Sequence, residues 1–275
     1  MYDSNEQHYL NLCFPDDIER MAVTTPHSAG CSACREGQGL PFAFSMAFQP
    51  IVNATNRTVF AYEALARGVN QHSAASVMSQ LDETNLYTFD QTCRVKSIEL
   101  AAQLNLASSE ARLSINFIPN AVYQPEACIQ TTVQAAARTG FPLDRLIFEV
   151  TEGEKIRDHA HLNDILQDYR KRGFATAIDD FGAGYAGLNL LARFQPDILK
   201  IDMELTRDID SRPVSRSIMT AILTVCRDIG IQPIAEGIET AAELNVLRDM
   251  GIELFQGYLF AKPQLEALPV PVFPN

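Results

Sequence analysis

From about residue 44 onward, short apolar runs alternate with segments in which apolar residues recur every three or four positions. The apolar runs predict strands at FSMAFQPIV (44–52), RTVFAYEALAR (57–67), RLSINF (112–117), RLIFEV (145–150), FATAID (174–179), DILKID (197–202), QPIAE (232–236) and ELFQGYLF (253–260). The segments between them, DQTCRVKSIELAAQLN and VSRSIMTAILTVCRDIG among others, predict helices, and the second closes on a glycine, where helices commonly stop. Such alternation makes a mainly parallel sheet with crossover helices. The first two runs are joined only by NATN, too short for a crossover, so they pair antiparallel. About eight strands with helices between them in about 230 residues favour a (β/α) barrel over an open doubly wound sheet. No dinucleotide fingerprint supports the open sheet.

Residues 1–40 follow a different pattern. They hold Cys13, His27, Cys31 and Cys34, several Gly and Pro, and no sustained apolar period, and they read as an extension ahead of a barrel domain spanning 41–270. HSAGCSAC places Cys31 and Cys34 at the spacing of a metal or redox site, with His27 and Cys13 upstream as further ligands. With no second closely spaced ligand pair, an extension carrying free thiols is the simpler reading. Cys93, Cys128 and Cys226 lie in helical patterns and are expected as buried, reduced thiols, which suits a cytoplasmic chain.

Composition narrows the function. Of the 275 residues 47% are hydrophobic, enough for a substantial core, while no apolar run approaches the length of a membrane span and the N-terminus lacks the features of a signal peptide. A net charge of −12 argues against a long nucleic-acid partner. Clustered acids could instead hold divalent cations, which would attract a small phosphorylated ligand that the bare protein repels.

The C-terminal ends of the apolar runs carry the chemistry. Glu63, Asn116, Glu149, the adjacent pair Asp179 and Asp180, Lys200, Glu236 and Gln256 all stand there. In a parallel barrel those ends open on one face, so residues distant in sequence converge. One such acid alone is more simply a helix cap. A whole ring of them is electrostatically costly unless cations or protons offset it. All the candidate ligands are oxygen donors, which suits Mg²⁺, Mn²⁺ or Ca²⁺ better than Zn²⁺ or an Fe–S cluster. The number of carboxylates suits a metal pair sharing one bridging acid, as used in phosphate-ester hydrolysis. Lys200 is either a structural ion pair or the group that orients water and stabilises phosphoryl charge.

In order along the chain, EALAR, SINF, FEVTE, DDFGAGYAGL, LKID, AEGIE and QGYLFAKP resemble the motifs of the EAL domain, a bacterial cyclic di-GMP phosphodiesterase. The resemblance implies a TIM-like (β/α)8 barrel with an antiparallel first strand, and hydrolysis of cyclic di-GMP to linear pGpG with two Mg²⁺ or Mn²⁺ ions per site. It also implies that Glu63, Asn116, Glu149 and Asp179 are metal ligands, with Asp179 bridging, and that Asp180 and Glu236 hold the second metal and position water. By the same resemblance Lys200 holds the catalytic water, Gln256 lies near the metals, and Gln49, Leu65 and Arg67 contact substrate. Glu152 and Glu239 resemble supports for the loop after Asp180, with helix capping as their alternative role. A homodimer is the family expectation, and the input signal and any regulatory protein partner are left open. The loop departs from the family's Thr-Gly-Tyr-Ser, reading Ala183, Gly184, Tyr185 and Ala186 here, which removes two hydroxyls that could anchor it. A non-catalytic cyclic di-GMP receptor and a protein-interaction module remain the alternatives to an active enzyme.

Overall fold

The computed structural model describes residues 40–69, 73–122, 124–151, 159–184 and 187–274. The four Cys and His positions of the N-terminal extension lie outside these residues, as do Glu152, Tyr185 and Ala186.

The apolar runs form β1 (Phe44–Asn53), β2 (Thr58–Gly68), β3 (Arg112–Asn116), β4 (Leu146–Thr151), β5 (Ala175–Phe181), β6 (Ile198–Ile201), β7 (Gln232–Ala235) and β8 (Leu254–Gln256). From β2 to β8 neighbouring strands pair parallel in chain order, and β1 closes the barrel by pairing antiparallel with both β2 and β8. A short β9 (Gln264–Leu265) continues along the same edge of β1 at Ala47 and Phe48. The expected run 253–260 is therefore strand only at its start. At Gln256 the chain turns away, and its carbonyl accepts from Ile238 N at 3.1 Å, which ties the turn to the segment after β7.

Nine α-helices among the described residues wrap this barrel: α1 (Ala74–Met78), α2 (Leu86–Gln103), α3 (Pro125–Cys128), α4 (Gln130–Thr139), α5 (His159–Lys171), α6 (Gly187–Arg193), α7 (Met203–Thr206), α8 (Pro213–Ile229) and α9 (Ala241–Asp249). The helices bury their apolar faces on the outward side chains of the strands. Phe148 of β4, for example, packs against Tyr169 of α5 at 4.8 Å and against Phe174 at 5.2 Å between ring centroids. Cys93, Cys128 and Cys226 are buried free thiols, as expected.

Inside the helical ring a charged pair is fully enclosed. Arg94 of α2 bonds Asp90 at 2.8 Å and the Tyr169 hydroxyl at 2.5 Å, and its guanidinium lies over the rings of Phe117, Phe148 and Tyr169. Asp90 accepts from the backbone N–H of Ile118 at 2.9 Å, which fixes the chain just beyond β3.

The β1–β2 hairpin has no crossover helix to cover its outer face. The C-terminal segment supplies part of that cover: the Tyr62 hydroxyl donates to the Pro269 carbonyl at 3.0 Å, and Phe273 packs against Phe260 and beneath the Arg57 guanidinium. Alpha helices α1 and α2 cover the rest through Val77, Phe89 and Cys93.

Candidate metal centre

The barrel interior is built in layers. Ile51, Ala61, Ile147, Ala177, Ile198, Ile234 and Leu254 form a dry apolar layer across it. Side chains two residues apart on a strand share a face, so the next layer toward the C-terminal mouth is set by counting on two positions. Glu63, Glu149, Asp179, Lys200, Glu236 and Gln256 stand there, with Gln49 from β1, which runs the opposite way. A ring of aliphatic side chains thus gives way within one pleat to a ring of acids, amides and one lysine.

The two adjacent acids reach this layer by a break in register. Between the pairs Ile178↔Leu199 and Phe181↔Ile201, β5 advances three residues while β6 advances two. Asp180 takes up the extra residue with φ 55°, a left-handed conformation that aspartate tolerates better than most residues. A bulge of this kind re-aims a side chain. Asp180 consequently joins Asp179 at the mouth instead of pointing to the opposite face of the sheet. The predicted strand ended at residue 179; the observed one runs on to Phe181.

Lys200 is the cation of this layer. Its Nζ lies 2.8 Å from Glu149 Oε2, 2.8 Å from Asp179 Oδ1, 3.0 Å from Glu236 Oε1 and 3.4 Å from Glu63 Oε2. Burial alone would push its pKa down, but the surrounding carboxylates outweigh that and hold the ammonium well above its ordinary value. The acids respond in the opposite sense. Burial, reinforced by Glu63 and Asp179 against the opposing pull of Lys200, raises Glu149 to about 8. Burial and the adjacent Asp179 raise Asp180 to about 8 as well, and burial drives Glu236 up in the same direction.

Two groups of acids could each hold a cation. Carboxylate oxygens of Glu63, Glu149 and Asp179 lie within 4.8 Å of one another, and so do those of Asp179, Asp180 and Glu236. Asp179 belongs to both. The donor set fits a hard divalent cation, since every group offers oxygen. The amides point the same way: Asn116 Oδ1 and Gln256 Oε1 are buried without a hydrogen-bond partner, while their nitrogens donate to the two oxygens of Glu63 at 3.0 and 2.7 Å. Buried carbonyl oxygens left open beside paired acids are what an oxygen-liganded cation requires.

The remaining predicted residues are distributed above and beside this layer. Gln49 is buried, its side-chain oxygen accepting from Gln256 at 3.2 Å and its amide donating to the Ala261 carbonyl. Leu65 and Arg67 continue the inward face of β2 beyond Glu63, nearer the mouth, and the Arg67 guanidinium donates to the Ala66 carbonyl at 2.9 Å. Glu239 stands apart, with 42% of its side chain exposed and its carboxylate 2.8 Å from Arg207. Sequence reasoning missed Ser114, whose buried hydroxyl donates to Glu149 Oε1. It sits two positions before Asn116 in RLSINF, so strand alternation alone would have placed it on the same face.

Comparison with known proteins bears on the family and the fold. A model of the EAL domain matches residues 42–263. The chain is 34% identical over 230 residues to the blue light- and temperature-regulated antirepressor BluF of Escherichia coli, covering 83% of this chain and 56% of BluF. It is 30% identical over 266 residues to the probable cyclic di-GMP phosphodiesterase PdeG of the same organism, covering 94% of this chain and 49% of PdeG. The chain thus spans about half the length of these curated relatives. Among solved structures, a standalone EAL protein from Vibrio cholerae bound to cyclic di-GMP superposes with a TM-score of 0.82 at 53% identity, covering 85% of this chain and 98% of that one. BlrP1 of Klebsiella pneumoniae, in complex with manganese and cyclic di-GMP, superposes with a TM-score of 0.78 at 36% identity, covering 86% of this chain and 61% of that one. By sequence and by fold, the chain belongs to the EAL-domain family.

Proposed function

We propose that this chain hydrolyses cyclic di-GMP to linear pGpG at the barrel mouth, with two divalent cations, Mg²⁺ or Mn²⁺. The observation that carries the reading is the sharing of Asp179 between two groups of carboxylates. Glu63, Asn116, Glu149 and Asp179 would hold one cation, and Asp179, Asp180 and Glu236 the other. Bound there, the cations would neutralise the acidic layer and stabilise the charge that builds on the phosphoryl oxygens.

The chain's own groups do the rest. Arg67 offers a planar fork of donors to a phosphate oxygen, while Gln49, Leu65 and Gln256 line the approach to it. Lys200 Nζ, held between Glu149 and Glu236, donates a hydrogen bond to the attacking water, and Glu236 accepts the proton that the water loses. The water oxygen bonds to phosphorus as the bond from phosphorus to O3′ breaks, and the departing O3′ takes up a proton from solvent while Glu236 returns its proton to solvent. The product keeps a 5′-phosphate. Glu239, tied to Arg207 just after α7, supports the loop after Asp180 indirectly, and Glu152 is assigned the same role from its motif. Chromatography of cyclic di-GMP incubated with the purified chain and Mg²⁺ or Mn²⁺ should show pGpG. Absence of product with either metal would overturn the reading.

A second reading, a regulator acting through protein contacts, is favoured by the likeness to a relative named as an antirepressor. Calorimetry separates the cases: heat of cyclic di-GMP binding without product indicates a receptor, and neither heat nor product indicates an interaction module. A cytoplasmic homodimer accompanies the enzymatic reading. Among the described residues no helix is long and apolar enough to cross a membrane.

A further inference from the structure

We propose that Glu243 and Thr206, neither of which lies in the acidic layer, are positioning residues that set Glu236 through the short helix α7; the inference rests on the two-cation reading above. Glu243 is 1% exposed on α9, with a hydrogen bond on each carboxylate oxygen. One oxygen completes the capping box of α9, accepting from the N–H groups of Glu239 and Thr240 at 3.0 Å each. The other does something a cap does not require: it accepts from the N–H of Asp208 at 3.0 Å, in the turn that follows α7. One buried carboxylate therefore joins the segment after β7 to the segment after β6.

Thr206 makes the second tie. It is fully buried at the end of α7, and its hydroxyl donates to the backbone carbonyl of Glu236 at 2.6 Å. Helix α7 is in turn seated against the acidic pair. The N–H of Asp202, its capping residue, donates to the Phe181 carbonyl at 3.1 Å, one residue beyond Asp180. Two glycines make room for it. A Cβ on Gly182 would lie 2.4 Å from Leu205 Cδ1, and one on Gly237 would lie 2.4 Å from Met203 Cβ. Side chains of α7 thus rest on the backbone on both sides, at the residue after Phe181 and at the residue after Glu236. The helix fixes the spacing between Asp180 and Glu236, the two acids that would share the second cation with Asp179.

A helix cap alone would make different demands. A capping box accepts Gln as readily as Glu, so E243Q would be silent if capping were its whole role. As a tie it is not silent, because an amide has one acceptor and must abandon one of the two loops. Mn²⁺ binding to the purified full chain, followed by calorimetry alongside thermal melting, tests this without recourse to turnover. The wild type should bind two ions, and T206V and E243Q should each weaken one by about tenfold or more, leave the other within about twofold, and T206S should restore binding. Two ions bound by the wild type and equally well by both variants would overturn the inference while leaving the two-cation reading intact, whatever the melting temperatures. Equal weakening of both ions, or T206S behaving as T206V, would also overturn it. If E243Q does not fold, the Thr206 pair decides alone. A wild type that binds no Mn²⁺ would remove the two-cation reading, and the inference with it.

Discussion

The acids at the barrel mouth are easy to place, and burial makes three of them, Glu149, Asp180 and Glu236, hard to ionise. Without a divalent cation, Lys200 is the only cation bonded to Glu149, Asp179, Glu236 and Glu63 in the described contacts. Because Glu149 and Asp180 are raised to about 8 in the folded chain, the native state holds protons that the unfolded chain releases near the ordinary carboxylate range. The stability these two groups contribute to the metal-free chain is therefore fully present below the ordinary carboxylate range and is lost as pH rises through about 8. Lys200, raised above an already high value, keeps its charge throughout that window. Melting temperature in chelator should fall between pH 5 and pH 9, and the rise on adding Mn²⁺ should be larger at the alkaline end. A flat profile would mean that the acids are not held protonated. Glu63→Ala removes an acid of the Glu63–Glu149–Asp179 group and should lower turnover by about 100-fold or more. Near-normal turnover at saturating Mg²⁺ would remove Glu63 from the ligand set. These residues were legible in the sequence because each sits at a fixed step beyond an apolar strand residue.

At the scale of the element, the bulge in β5 decides what two adjacent acids can do. In regular alternation one of them would face the helices, where an ionised carboxylate is costly. The left-handed Asp180 avoids this. Asp180→Asn keeps the shape and a residue that tolerates this conformation, but it removes the ionisable group. The variant should melt higher than the wild type in chelator at pH 9, with the gap closing toward pH 5 as the wild-type carboxyl protonates, and it should bind Mn²⁺ more weakly. A lower melting temperature at pH 9 would mean that the carboxylate is structurally required. Nothing in FATAIDDFG reports the bulge, since it is defined by the register against β6. In the same way, ELFQGYLF reads as one strand and is only three residues of one, because the turn at Gln256 is fixed by Ile238 from another part of the chain.

The whole barrel depends on parts that lie outside its repeating pattern. The enclosed Asp90–Arg94 pair is one: Asp90→Ala would leave a buried guanidinium without its carboxylate and should cost about 3–5 kcal/mol in denaturant unfolding. A change below 1 kcal/mol, the range of an exposed pair, would show that Arg94 finds compensation elsewhere. The C-terminal segment is another. Deleting the chain from Leu268 onward uncovers the β1–β2 hairpin and removes Phe273, and the truncated chain should melt at a lower temperature than the full one. An unchanged melting temperature would mean that α1 and α2 cover the hairpin sufficiently by themselves.

The sequence by itself determined the alternation of strands and helices, the antiparallel start and the polar residue at each strand end. All of these are local: a pleat has period two, a helix period 3.6, and a four-residue link cannot cross a sheet. Tertiary structure alone decided that β5 slips its register against β6 at Asp180, that Lys200 lies among four acids, and that α7 is seated between two loops on the strength of two missing Cβ atoms. Those facts depend on distances between strands that are far apart in the chain, and they exist only once the barrel has closed.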